Sequence, residues 1–178
     1  MRHLILGGVK SGKTRYAEKL AAELSQQQGL SVHVVVTAEA KDAEMSERIA
    51  RHKQDRDSTW RVSEVPIQLS AQLDRLNKDA AAGVVVIDCL TLWLTNLLVL
   101  EDQERLKREV GALLKSVRGF SKPLFMVSNE TNMGITPLGE LSRKYCDEAG
   151  LMHQCLAQEC EQVSLVVAGL PLALKTNK

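Results

Sequence analysis

Two short stretches of this chain carry residues whose types and spacing could do chemistry. Residues 7–14, GGVKSGKT, fit the pattern G-x-x-x-x-G-K-[ST]. Gly7, Gly8 and Gly12 can take backbone angles that turn successive N–H groups around a phosphate. Val9, Lys10 and Ser11 complete the loop between them. A helix starting after Gly12 would add its positive N-terminus. Lys13 would reach the β- and γ-phosphates of a nucleotide, and Thr14 would put its hydroxyl on Mg²⁺. The second stretch, residues 48–56, is RIARHKQDR. On a helix, His52 has Arg48 one turn before it and Arg56 one turn after, all on one face. A solvated helix also accounts for the run, because Glu44–Arg48 and Glu47–Arg51 are i,i+4 pairs with the acid first.

The loop does chemistry only if a strand feeds it and a helix leaves it. HLIL (3–6) reads as a short buried strand, and TRYAEKLAAELSQQ (14–27) as the helix. SVHVVVTA (31–38) is the next strand, followed by the basic helix through Arg56. WRVSEV (60–65) alternates like a strand, Pro66 opens a helix to about Lys78, and GVVVID (83–88) is a core strand. Helices over LTLWLTNLLVL (90–100) and near 104–117 lead to PLFMVS (123–128). A long helix over 138–159 precedes QVSLVVAG (162–169), which closes the core. Apolar runs without clean alternation indicate strands covered on both faces. Helices between them imply right-handed crossovers and a mostly parallel sheet. The expected fold is a three-layer α/β P-loop NTPase fold, its sheet flanked by helices. No repeat, low-complexity stretch or linker divides residues 1–178, so one nucleotide-binding domain is expected. Asp88 ends a core strand and fits the acidic residue that holds Mg²⁺, often through water. As an alternative it caps the helix beginning near Leu90.

The 178 residues carry 23 Lys plus Arg and 22 Asp plus Glu, a net charge of +1. That balance provides no strong field for nucleic acid or a membrane surface. The longest apolar run, 83–100, is broken by Asp88, Thr91, Thr95 and Asn96, so membrane insertion is not expected. MRHLILGG lacks a signal-peptide apolar region, and the chain reads as cytoplasmic. Cys89, Cys146, Cys155 and Cys160 form no C-x-x-C pair. Cys155 and Cys160 are expected to pack as small hydrophobes.

GGVKSGKT, RIARHKQDR, WRVSE, VVVIDCLTLWLTNLL, VSNETNMGITP and VVAGLPLALK occur in this order along almost the whole chain. In this the chain resembles the bifunctional adenosylcobinamide kinase/adenosylcobinamide-phosphate guanylyltransferase family. It departs from the family pattern at Asn132, where glycine is usual, and at His153, where asparagine is usual. The resemblance implies phosphorylation of adenosylcobinamide, then transfer of GMP from GTP onto adenosylcobinamide phosphate through a GMP–histidine at His52. Arg48 and Arg56 would then serve both needs of that step. Neighbouring cations keep the imidazole neutral and stabilise charge developing at the α-phosphate. The resemblance further implies nucleotide contacts at Val36, Thr37 and Ala38, at Lys53, Gln54, Asp55 and Arg56, and at Glu64. A carboxylate at Glu64 can accept from guanine N1–H and its amino group, or simply pair with Arg61 or solvent. Asn129 and Glu130 end a strand where open α/β sheets bind ligands, on the corrinoid or Mg²⁺ side. ATP, GTP and Mg²⁺ are the implied small-molecule partners, and a homotrimer the implied assembly. Two other readings remain: a kinase of another small alcohol with a basic lid helix, and a non-catalytic GTP-binding switch.

Overall fold

The computed structural model describes residues 1–39 and 57–176. Seven strands form one sheet in the order β3-β2-β4-β5-β1-β6-β7. They are β1 (Arg2–Gly7), β2 (Val32–Val36), β3 (Arg61–Glu64), β4 (Val84–Asp88), β5 (Leu124–Asn129), β6 (Gln162–Val167) and β7 (Leu170–Lys175). The first six run parallel, and β7 returns antiparallel along β6. Five described helices connect them: α1 (Lys13–Gln28), α2 (Leu69–Lys78), α3 (Leu90–Leu98), α4 (Gln103–Arg118) and α5 (Glu140–Glu159). The three-layer expectation holds.

The pleat divides each apolar run between two cores. Leu4 and Leu6, Val85 and Ile87, and Leu124 and Met126 point into one, with Leu73, Trp93, Leu113, Met152 and Leu156 from the helices opposite. Ile5, Val84, Val86, Phe125 and Val127 point into the other, beneath α1. Successive strand residues face opposite sides, so a strand covered on both must be apolar throughout. On α1, Ala17 and Ala21 are fully buried, and their small side chains let that helix lie close on the sheet. Its end is set by Gly29 in the left-handed region, which donates to Ser25 O, a glycine C-cap. At α4, Asp102 accepts from Arg105 N (2.9 Å) as N-cap.

Two elements differ from expectation. The helix expected from Pro66 begins at Leu69, because the preceding carbonyls are claimed from α3. Trp93 Nε1 donates to Ile67 O (2.6 Å), and Asn96 Nδ2 donates to Pro66 O (3.2 Å). The run at 162–169 does not end the sheet. Ala168 (φ 51°) and Gly169 (φ 81°) turn the chain back into β7. Cys160 is buried as expected, whereas Cys155 is exposed on α5. Among the described residues, no helix is long and apolar enough to cross a membrane.

Candidate active site

Parallel register brings the carboxyl ends of the strands to one edge. Gly7 aligns with Asn129 on one side and Val166 on the other, while Val36 aligns with both Glu64 and Asp88. The residues expected to meet nucleotide and acceptor therefore emerge together, where open parallel sheets place ligands.

The loop after β1 is compact and braced. Ser11 N donates to Gly8 O (3.2 Å), and Lys13 Nζ folds back onto the same carbonyl at 2.8 Å. Lys13 is only 8% exposed, so its charge sits inside the loop. Lys10 (φ 56°) and Gly12 (φ 96°) both take left-handed angles, the backbone alternation that builds an anion-binding concavity. Gly7 must lack a side chain: a Cβ there would lie 2.5 Å from Ser11 Oγ and 2.6 Å from Val166 O. Ser11 Oγ is buried and has no protein partner among the described residues. Val9 lies exposed at the loop tip.

Three other elements hold the loop. Glu130 N donates to Gly7 O (3.0 Å), tying it to the end of β5. Gly169 N, in the β6–β7 turn, donates to Ser11 O (2.8 Å), and Gly169 Cα lies 3.2 Å from where a Cβ of Gly12 would stand. On α1, Thr14 Oγ1 lies 3.5 Å from Asp88 Oδ1, so loop and fourth strand meet at a pair of hard oxygen donors. The helix after Asp88 has Cys89 at its N-cap position.

The end of β2, where nucleotide contacts are expected, is fixed by bonds within the protein. Val36 is buried, Ala38 is partly exposed, and Thr37 is fully buried. Every polar group of Thr37 is used within the protein. Its N–H donates to Asp88 O (3.2 Å), its carbonyl accepts from Asn96 Nδ2 (2.9 Å), and its hydroxyl bridges Cys89 O (2.6 Å) and Cys89 N (3.1 Å). Thr37 thus clamps β2 to β4 beside Asp88. Glu64 is exposed at the end of β3, and its neighbour Arg61 reaches Asp79 at 4.0 Å. Arg48, His52, Lys53, Gln54, Asp55 and Arg56 lie outside the described residues.

Behind Asn129 and Glu130 is a buried polar chain that sequence reasoning missed. Thr91 Oγ1 accepts from Asn129 N (2.6 Å) and lies 3.4 Å from Ser128 Oγ. Ser128 Oγ is 2.8 Å from His153 Nε2, and His153 Nδ1 is 3.8 Å from Glu130 Oε2. Burial lowers the His153 pKa, against the opposing pull of Glu130. Asn132, the other departure, donates from Nδ2 to Cys146 O (2.9 Å) and from N to Glu130 Oε1 (2.8 Å). Both residues therefore join β5 and its loop to α5.

A family model described as cobinamide kinase / cobinamide phosphate guanyltransferase matches residues 3–174. The chain is 51% identical over 176 residues to the bifunctional adenosylcobalamin biosynthesis protein CobP of Pseudomonas aeruginosa, with 98% of each chain covered. It is 32% identical over 190 residues to the bifunctional adenosylcobalamin biosynthesis protein CobU of Escherichia coli, covering 98% of this chain and 100% of that one. The likeness to CobU of Salmonella typhimurium has the same extent and identity. Because the match runs from β1 through the turn that braces its loop, the chain belongs to the cobinamide kinase / cobinamide phosphate guanyltransferase family.

Proposed function

We propose that this chain phosphorylates the alcohol of adenosylcobinamide and then converts the product to adenosylcobinamide-GDP. The observation that carries the reading is the braced loop at residues 7–14, with Lys13 inside it and Thr14 beside Asp88. In the kinase step the substrate hydroxyl attacks the γ-phosphorus of ATP or GTP, the bond to the β-phosphate oxygen breaks, and the nucleoside diphosphate leaves. Lys13 neutralises charge on the β- and γ-phosphates, and the loop N–H groups hold them in line. Thr14 and Asp88 suit Mg²⁺, which prefers hard oxygens and keeps several waters beside phosphate ligands. That ion would draw charge from the phosphate oxygens. Asn129 and Glu130 stand on the acceptor side.

In the second step a neutral His52 attacks the α-phosphorus of GTP, pyrophosphate leaves, and GMP remains on the ring nitrogen. An oxygen of adenosylcobinamide phosphate then attacks that phosphorus and the P–N bond breaks. The covalent step divides one difficult transfer into two. Arg48 and Arg56 stabilise the α-phosphate, with Lys53, Gln54 and Asp55 as further nucleotide contacts, and Glu64 reads guanine. The working form is a homotrimer, for which the exposed leucines of β7 offer apolar surface.

Mass spectrometry after incubation with GTP tests the histidine. The wild-type chain should gain one GMP on His52, and His52→Asn should gain none while still phosphorylating adenosylcobinamide. Lys13→Ala should lose that phosphorylation by orders of magnitude. GMP carried by His52→Asn would overturn the mechanism, and a wild-type kinase that acts only on other alcohols would overturn the substrate.

A further inference from the structure

The loop from Thr131 to Gly139 leaves the site and returns into α5. Both ends are pinned. At its start, Glu130 is bonded through its N–H to Gly7 O and through its carboxylate to Asn132 N. At its end, Arg143 Nη1 donates to the carbonyls of Pro137 (3.2 Å) and Leu138. Between those anchors three large apolar side chains stand in solvent: Met133 at 74%, Ile135 at 98% and Leu138 at 97% exposure. Beside them a cavity of about 270 Å³ opens between the loop and α5, lined by Ile135 and Pro137 together with the polar groups of Thr131, Asn132, Arg143 and Asp147.

An apolar rim beside a cavity of mixed lining calls for a ligand that offers both an apolar face and a polar arm. A corrinoid is a flat, largely apolar macrocycle fringed by amide arms. The cavity is too small for the macrocycle and large enough for one arm, whose amide needs both donors and acceptors. Nucleotide is the poorer occupant, since the phosphate loop already lies on the far side of Glu130. A second copy of this chain is also poorer, because the rim is continuous with the residues that face the acceptor.

We propose that the 131–139 loop and the facing side of α5 are the corrinoid seat, with Met133, Ile135 and Leu138 against the macrocycle and one amide arm in the cavity. This rests on the proposed function, and names the surface by which that site holds its acceptor. Desolvating three exposed side chains against the ring supplies the affinity.

Equilibrium dialysis of adenosylcobinamide against the full chain tests it, with GTP affinity measured alongside. Ile135→Ser combined with Leu138→Ser should weaken adenosylcobinamide at least tenfold and leave GTP affinity and melting temperature unchanged. Ile135→Leu with Leu138→Met should bind like wild type. Unchanged adenosylcobinamide affinity in the serine variant would overturn the seat, as would an equal loss of GTP. So would a drop in light-scattering mass without loss of corrinoid binding, which would make the patch a contact between copies. Wild-type protein that binds adenosylcobinamide through this loop yet never phosphorylates it would support the seat and refute the kinase reading. Wild-type protein that does not bind it at all would refute both.

Discussion

His3, the second residue of β1, has Nε2 2.8 Å from Ser164 Oγ and Tyr16 and Phe125 around the ring. Burial lowers its pKa from 6.5 to about 4. The folded ring is therefore neutral where the unfolded one takes a proton, so its contribution is full above pH 6.5 and is lost as pH falls toward 4. His33 and His153 are lowered for the same reason, which adds in the same direction. Between pH 7 and pH 5, denaturant unfolding should show a loss of about 2 kcal/mol from His3 alone. His3→Gln, which keeps a polar group near Ser164, should flatten that decline. At this scale, legibility followed distance along the chain. Lys13 and Thr14 were readable because the loop is made of adjacent residues. Thr37, Ser128 and His153 were not, because their partners come from strands and helices 25 or more residues away. The bonds of Thr37 to Asp88, Cys89 and Asn96, which clamp β2 to β4, were among them.

At the scale of elements, the strands of both cores were readable from unbroken apolar runs, and their ends shifted by a residue or two. The start of α2 was not, because carbonyls bound from α3 decide it. Nor was β7 separated from β6, since Ala-Gly is a weak hairpin signal beside Asn-Gly and requires alanine to hold a positive φ. That hairpin bears on the nucleotide loop. Gly169→Ala meets no side chain, so its cost is conformational, about 1–2 kcal/mol for a left-handed residue. Because Gly169 N holds Ser11 O, the variant should also bind ATP and GTP several-fold more weakly, measured by titration calorimetry. A stability loss with unchanged nucleotide affinity would mean that the turn only joins two strands.

Across the whole molecule, the sheet has one closed and one open story at its β7 edge. Leu170 and Leu172 alternate onto one face of β7 at 73 and 58% exposure, and Leu174, at a register shift, is 55% exposed. Pro171 lacks an N–H, which blunts the free edge, and Lys175 Nζ donates to Ala157 O and Gln158 O at the end of α5. A leucine stripe on a protected edge suits side-by-side packing rather than strand addition. Multi-angle light scattering should report three chains per particle, and Leu172→Glu should lower that mass. The position of β1 carries another consequence. The strand that launches the phosphate loop lies between β5 and β6, and its loop is braced from Gly169. During synthesis, residues 7–14 leave the ribosome more than a hundred residues before β5, and longer still before β6 and the brace at Gly169. Nascent chains stopped before Gly169 should therefore fail to retain ATP or GTP, and chains extended past β7 should retain it.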